Sequence, residues 1–114
     1  MVTPSGTTLT GYNGTPSGTD YTCEDNQGKT KSEVLHAELN CLMKAAKEGV
    51  SVTNSTLYVT LSPCMQCSAM MLQAGIKRIV YLEEYRDLNG IQYLNNHGVI
   101  VEKFEKFYSN LKGN

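Results

Sequence analysis

The stretch from Thr56 to Leu82, TLYVTLSPCMQCSAMMLQAGIKRIVYL, constrains the fold more than any other part of the chain. Its apolar alternation predicts a strand over Thr56 to Leu61. Ser62-Pro63 then has the chemistry of a helix start, with Ser as a cap and Pro at the first position. A helix from Pro63 to Ala74 follows, closed by Gly75, and Ile76 to Leu82 reads as a second strand. Strand, helix and strand in such quick succession make a parallel unit with a right-handed crossover. In sheets of this kind, sites form beyond the strand C-termini, where helices begin. Cys64 and Cys67 stand at that junction.

The remaining segments extend the same alternation. Upstream, Val2-Thr3, a turn at Pro4-Ser5-Gly6, and Thr7 to Tyr12 predict a β-hairpin whose first strand is nearly missing. Asn13-Gly14 marks a turn. From Thr15 to Lys31 the chain is rich in Gly, Ser, Thr and Asp, the pattern of a functional or disordered loop. A helix beginning at Ser32-Glu33 and running to Glu48, closed by Gly49, carries an apolar stripe of Val34, Ala37, Cys41, Leu42 and Ala45. Downstream, a helix over Asp87 to Asn96 and a strand over Val99 to Glu102 precede a tail, Lys103 to Asn114, that reads as one more short helix. This order predicts a three-layer α/β domain. At 114 residues the chain is expected to form one domain over residues 1–114.

Composition narrows the function classes. With 40% hydrophobic and 18% charged residues, the chain falls among ordinary soluble globular proteins. No run approaches the roughly 20 apolar residues of a membrane span. The first residues, Met1 to Gly6, lack the features of a signal peptide, so a cytoplasmic setting is expected. There, four cysteines point to metal or catalysis rather than to disulfides. A net charge of −1, with basic residues scattered, disfavours a protein that tracks long nucleic acid.

Cys64 and Cys67, at i and i+3 in the first turn of a helix, point the same way, and a helix N-terminus stabilises their thiolates. Alone, they fit either a redox pair or half of a metal site. The segment HAELN, His36 to Asn40, decides between these. Near a helix N-terminus both His36 and Glu38 can approach a group placed over its end. His-x-Glu followed by Pro-Cys-x-x-Cys is the signature of zinc deaminases acting on bases. One imidazole and two thiolates leave a tetrahedral zinc with an open position, as catalysis requires. Zinc lowers the pKa of water to about 7, and Glu38 is then the proton carrier. Cys23, Cys41 and His97 are not at ligand spacing from this set, and Cys41 fits the apolar face of its own helix.

Four segments, GYNGTPSG (Gly11 to Gly18), HAELN, TLYVTLSPCMQC (Thr56 to Cys67) and QAGIKRIVY (Gln73 to Tyr81), followed by Tyr85-Arg86, carry a resemblance. Together they resemble the deoxycytidylate (dCMP) deaminase family, within the cytidine deaminase-like superfamily, over Gly11 to about Val101. The resemblance implies a three-layer α/β/α fold with a central mixed sheet of about five strands. It also implies hydrolysis of dCMP to dUMP and ammonia, which feeds thymidylate synthesis. By matching position, His36, Cys64 and Cys67 are expected as ligands of one Zn2+ and Glu38 as the proton shuttle. Asn13 matches a nucleotide-contacting Asn, although a turn-former before Gly14 is an equal reading. Tyr85 matches an aromatic that flanks the pyrimidine, although an exposed or interface Tyr is as consistent with its sequence. The 14–31 loop and Arg86 are candidates for phosphate. The family further implies a hexamer, activation by dCTP and inhibition by dTTP, with Mg2+ accompanying the triphosphate. Gly11, Tyr12, Asn13 and Gly14 are implicated in that effector site.

The sequence departs from the family in two places. Almost nothing precedes the hairpin turn where relatives carry an N-terminal helix and a full first strand, so that helix is expected to be absent. The segment between GYNG and HAE holds only Cys23 and no His, so a second, structural zinc is not expected. Rival functions are a deaminase of free cytidine, deoxycytidine, cytosine or transfer-RNA adenosine, a non-catalytic zinc-stabilised nucleotide-binding module, and a redox protein.

Overall fold

The computed structural model describes residues 1–16, 18–20, 22–30 and 35–104. Six elements follow one another: α1 (Ala37–Glu48), β1 (Thr56–Leu61), α2 (Met65–Ala74), β2 (Arg78–Glu83), α3 (Asn89–Asn96) and β3 (Ile100–Lys103). The strands form one parallel sheet in the order β1-β2-β3. Two successive crossovers of the same hand place α2 and α3 on one face. Leu57, Ile79 and Val101 lie in register on that face. Over them pack Cys41, Leu42 and Ala45 of α1, Cys67 and Met71 of α2, and Leu94 of α3. On the other face Tyr58, Leu82 and Ile100 are exposed, and no described helix covers them. The expected tail helix lies, beyond Phe104, outside the described residues.

The α/β alternation is as expected, and Gly49 and Gly75 close α1 and α2. The later strands and α3 begin one or two residues after their expected starts. Three larger departures arise where a long-range contact overrides a local signal. First, α1 begins at Ala37 rather than at Ser32-Glu33. Leu35 pairs antiparallel with Gly14, and His36 stays extended (φ −63°, ψ 152°), so the helix cannot form earlier. Residues 32–34 lie outside the described set.

Second, α2 begins at Met65, and its cap is Cys64, whose sulfur accepts from the Cys67 N–H at 3.5 Å. Ser62 is no cap. It is buried, its N–H donates to the Glu83 carbonyl at 2.9 Å, and its hydroxyl accepts from the Tyr85 N–H at 2.6 Å. Ser62 thus stitches the end of β1 to the chain leaving β2.

Third, Thr7 to Tyr12 is not a strand. Val2 bridges Thr8 and Thr56, both antiparallel, and the Met1 amino group donates to the Leu9 carbonyl at 2.8 Å. The incomplete first strand is therefore a single residue at the sheet edge. Beyond Leu9 the chain leaves the edge and lies along α1. Among the described residues the mixed sheet has three named strands with this antiparallel bridge beside β1.

Helix α3 docks against the start of α2 at Gly90. A Cβ there would stand 2.5 Å from the Pro63 carbonyl oxygen, 2.6 Å from Ser68 Oγ and 2.9 Å from the Cys64 carbonyl oxygen. Only glycine permits so close an approach. Gly90→Ala is therefore expected to destabilise the fold by about 1–3 kcal/mol, the usual range for overpacking. Urea unfolding checks this, and an unchanged midpoint would show that α3 is not held at this distance.

Candidate active site

Two helix starts converge on one space. His36 immediately precedes α1, Cys64 immediately precedes α2, and Cys67 lies in the first turn of α2. His36 Nδ1 is 3.3 Å from Cys67 Sγ and 3.7 Å from Cys64 Sγ. All three ligand atoms lie within 4.8 Å of one another. Four-coordinate zinc, with Zn–N and Zn–S bonds of about 2.0 and 2.3 Å, separates its nitrogen and sulfur ligands by about 3.5 Å. The observed spacings bracket that value, and none of the cysteines is in a disulfide. The donor set and its spacing fit zinc.

Electrostatics oppose ionisation of the buried cysteine when no cation is beside it. Burial pushes the Cys67 thiol far above its usual range, and the Glu38 carboxylate and Cys64 beside it push in the same direction. A dication is the counter-charge that lets such a thiol ionise. Glu38 itself is buried, at 8% exposure, in the first turn of α1. Because α1 starts at Ala37, Glu38 stands over the helix end rather than deep within it, and it shares the site with His36.

The cluster opens into a cavity of about 750 Å³. That is within the usual size of a small-molecule site. Asn13, His36, Glu38, Cys64 and Tyr85 all line it, as do Gly11 and Tyr12. The structure thus brings together the residues that the sequence placed at the metal and around the base. It does not bring in the phosphate candidates: neither Arg86 nor any described residue from Gly14 to Thr30 lines the cavity.

The GYNG segment is held by α1. Asn13 Oδ1 accepts from the Ala37 N–H at 2.8 Å, and Asn40 Nδ2 donates to the Tyr12 carbonyl at 3.0 Å. Gly14 and Leu35 exchange backbone bonds of 3.1 and 2.8 Å. Tyr12 is 72% exposed, with the Lys44 ammonium 5.5 Å from its ring centroid. Cys41 is a buried core residue whose thiol donates to the Leu9 carbonyl at 3.4 Å. His97 caps the far end of α3, where its Nδ1 bonds the Tyr93 carbonyl at 2.8 Å.

Sequence reasoning named two further positions, Ser62 as a cap and Gly11 in the effector site, but missed the part each has in building this cavity. Ser62 lines the cavity and holds Tyr85 by its backbone, a role hidden behind its resemblance to a helix cap. Gly11 lets the segment approach α1: a Cβ on it would be 2.7 Å from the Ala37 carbonyl oxygen and 2.9 Å from the Cys41 nitrogen. Its place in GYNG was the only available signal.

Comparison with known proteins agrees with this geometry. The family described as the cytidine and deoxycytidylate deaminase zinc-binding region matches residues 1–83. The deoxycytidylate deaminase of Saccharomyces cerevisiae is 37% identical over 105 residues, covering 83% of this chain and 33% of that protein. The Homo sapiens deoxycytidylate deaminase is 35% identical over 106 residues, covering 82% of this chain and 58% of that protein. Among solved structures, the dCMP deaminase of cyanophage S-TIM5 in complex with dCMP and dUMP superposes with a TM-score of 0.76 at 50% identity. That match covers 82% of this chain and 69% of the phage chain. The chain thus spans one third of the yeast protein and rather more than half of the human one. With a matched zinc-binding region over most of its length and a shared fold, the chain belongs to the cytidine and deoxycytidylate deaminase family.

Proposed function

We propose that this chain is the catalytic unit of a zinc-dependent deaminase that hydrolyses dCMP to dUMP and ammonia. The observation that carries the proposal is the His36, Cys64 and Cys67 cluster with Glu38 beside it, opening into a nucleotide-sized cavity. The likeness to a phage dCMP deaminase solved with dCMP and dUMP supports this substrate over other bases.

His36, Cys64 and Cys67 would hold the ion. Bound there, zinc supplies Lewis acidity that makes water a usable nucleophile near neutral pH. The chain's own residues do the rest. Glu38 takes a proton from the water, delivers it to the cytosine ring nitrogen, and later protonates the departing amine. The water oxygen first bonds to C4, making it tetrahedral. The remaining hydroxyl proton then passes through Glu38 to the amino group, and the bond from C4 to that nitrogen breaks as the C4 carbonyl forms. Tyr85, on the cavity wall, flanks the pyrimidine, with Ser62 holding its backbone. Asn13, on the same wall, contacts the nucleotide.

The wider family reading comes with this activity. It comprises supply of dUMP for thymidylate, a hexameric assembly, activation by dCTP with Mg2+, and inhibition by dTTP. Of the segment Gly11 to Gly14 assigned to the effector, Tyr12 presents a side chain that is 72% exposed. A cytoplasmic setting is part of the same proposal. No described helix is long and apolar enough to cross a membrane.

Ammonia release from dCMP and from deoxycytidine by the zinc-loaded protein tests the reading. Turnover of dCMP is expected, with little of deoxycytidine. Equal rates on both would point to a nucleoside deaminase, and silence on both with zinc bound would sink the catalytic reading.

Glu38→Gln is expected to keep zinc and fold while kcat falls about 10²–10⁴-fold, the usual worth of a general acid–base. Retained activity would remove Glu38 from the proton path. His36→Ala is expected to lose zinc, seen by metal analysis after dialysis, and to unfold more easily because metal binding contributes folding energy. Wild-type zinc content in that variant would exclude His36 as a ligand.

A further inference from the structure

The residue before a helix ordinarily uses its side chain to accept from the first unpaired N–H groups. His36 occupies that position in α1 and makes no such bond. Its imidazole is turned to Cys67, 3.3 Å away. The Ala37 N–H, one position short of those that a preceding side chain reaches, is taken by Asn13 Oδ1, at 2.8 Å, from a segment 24 positions earlier in the chain. We propose that Asn13 is a positioning residue of the metal centre: it pins the first N–H of α1, and so holds the helix start that presents His36 and Glu38 to zinc.

Three observations support a built cap rather than a chance contact. Gly11 lies so close to α1 that a Cβ would meet the Ala37 carbonyl oxygen at 2.7 Å, which fixes the depth of the segment. Its position along the helix is fixed by the bonds from Asn40 Nδ2 to the Tyr12 carbonyl and from Lys44 Nζ to the Thr10 carbonyl, both 3.0 Å. Gly14 and Leu35 exchange backbone bonds just beyond, closing the loop around Asn13. The Asn13 amide therefore meets Ala37 without sliding. Since the Ala37 N–H can only donate, the oxygen of that amide must face it. Glu38 follows Ala37 directly, so one cap sets the helix start that carries both the imidazole and the carboxylate.

Groups that orient a metal ligand without touching the metal typically matter 10–100-fold for metal affinity. The inference rests on the zinc reading of the cluster, and its readout is zinc binding rather than turnover, because Asn13 also lines the cavity. Zinc affinity is measured by competition with a chromophoric chelator, alongside thermal unfolding, for the wild type, Asn13→Ala and Asn13→Asp. Asn13→Ala is expected to weaken zinc binding about 10–100-fold. Asn13→Asp is expected to restore it, because a carboxylate accepts from Ala37 and suits the positive helix end.

A mere tether would lower the melting temperature of Asn13→Ala and leave its zinc affinity unchanged, and that result overturns the proposal. Should Asn13→Ala fail to fold, Asn13→Asp decides alone. Wild-type zinc affinity in that protein supports the cap, and weakened affinity overturns it. A wild-type protein that binds no zinc would instead defeat the metal reading on which the cap depends.

Discussion

The contact between the His36 imidazole and the Cys67 thiol, 3.3 Å across 31 positions of sequence, is where two helices present their starts to one cavity. A helix N-terminus carries a partial positive charge that favours anionic groups nearby. Glu38 sits in the first turn of α1 and Cys67 in the first turn of α2. The convergence depends on the layer beneath. Leu57, Ile79 and Val101 offer one apolar face, and Met71 and Leu94, both fully buried, seat α2 and α3 on it. Each side chain of that size stabilises by about 1.5–3 kcal/mol when fully buried. The core energy is spread over the sheet, and its chemical consequence is concentrated at one end.

Concentrating acidic groups in a half-buried site carries a penalty. The buried Cys67 thiol resists ionisation, with Glu38 and Cys64 adding to that resistance. A dication turns the same arrangement from unfavourable to favourable, because each negative group then faces a positive charge. A metal bound there would link its binding to the folding of the two helix starts. Gly90 serves the same end from another direction. By admitting α3 to the Pro63 and Cys64 carbonyls, it braces the turn that carries the first cysteine.

Much of this architecture can be read locally. The order of helices and strands, the closing glycines Gly49 and Gly75, and the four chemical residues all follow from spacing and residue type. Local rules failed at the start of α1, at Ser62 and in the segment from Thr7 to Tyr12. Leu35 is drawn into a pairing with Gly14, so the helix starts later. Ser62 has cap chemistry but spends its hydroxyl on the Tyr85 N–H. The segment from Thr10 to Asn13 is claimed by α1 rather than by the sheet. In each case a partner more than 20 positions away outcompetes the neighbour on which the local rule relies.

What the sequence determined by itself was the chemistry: an imidazole, two thiols and a carboxylate in motifs that only a catalytic metal site explains economically. It also determined the parallel strand–helix–strand frame, because periodicity and helix-closing glycines are short-range properties. Only the tertiary structure decided where α1 begins, which side chain caps it, and that Asn13 and Tyr85 face the same cavity as the metal cluster. Those outcomes depend on backbone groups that remain unpaired at element ends. Such groups are satisfied by whatever the fold brings near, and the fold brings near residues that the sequence keeps far apart.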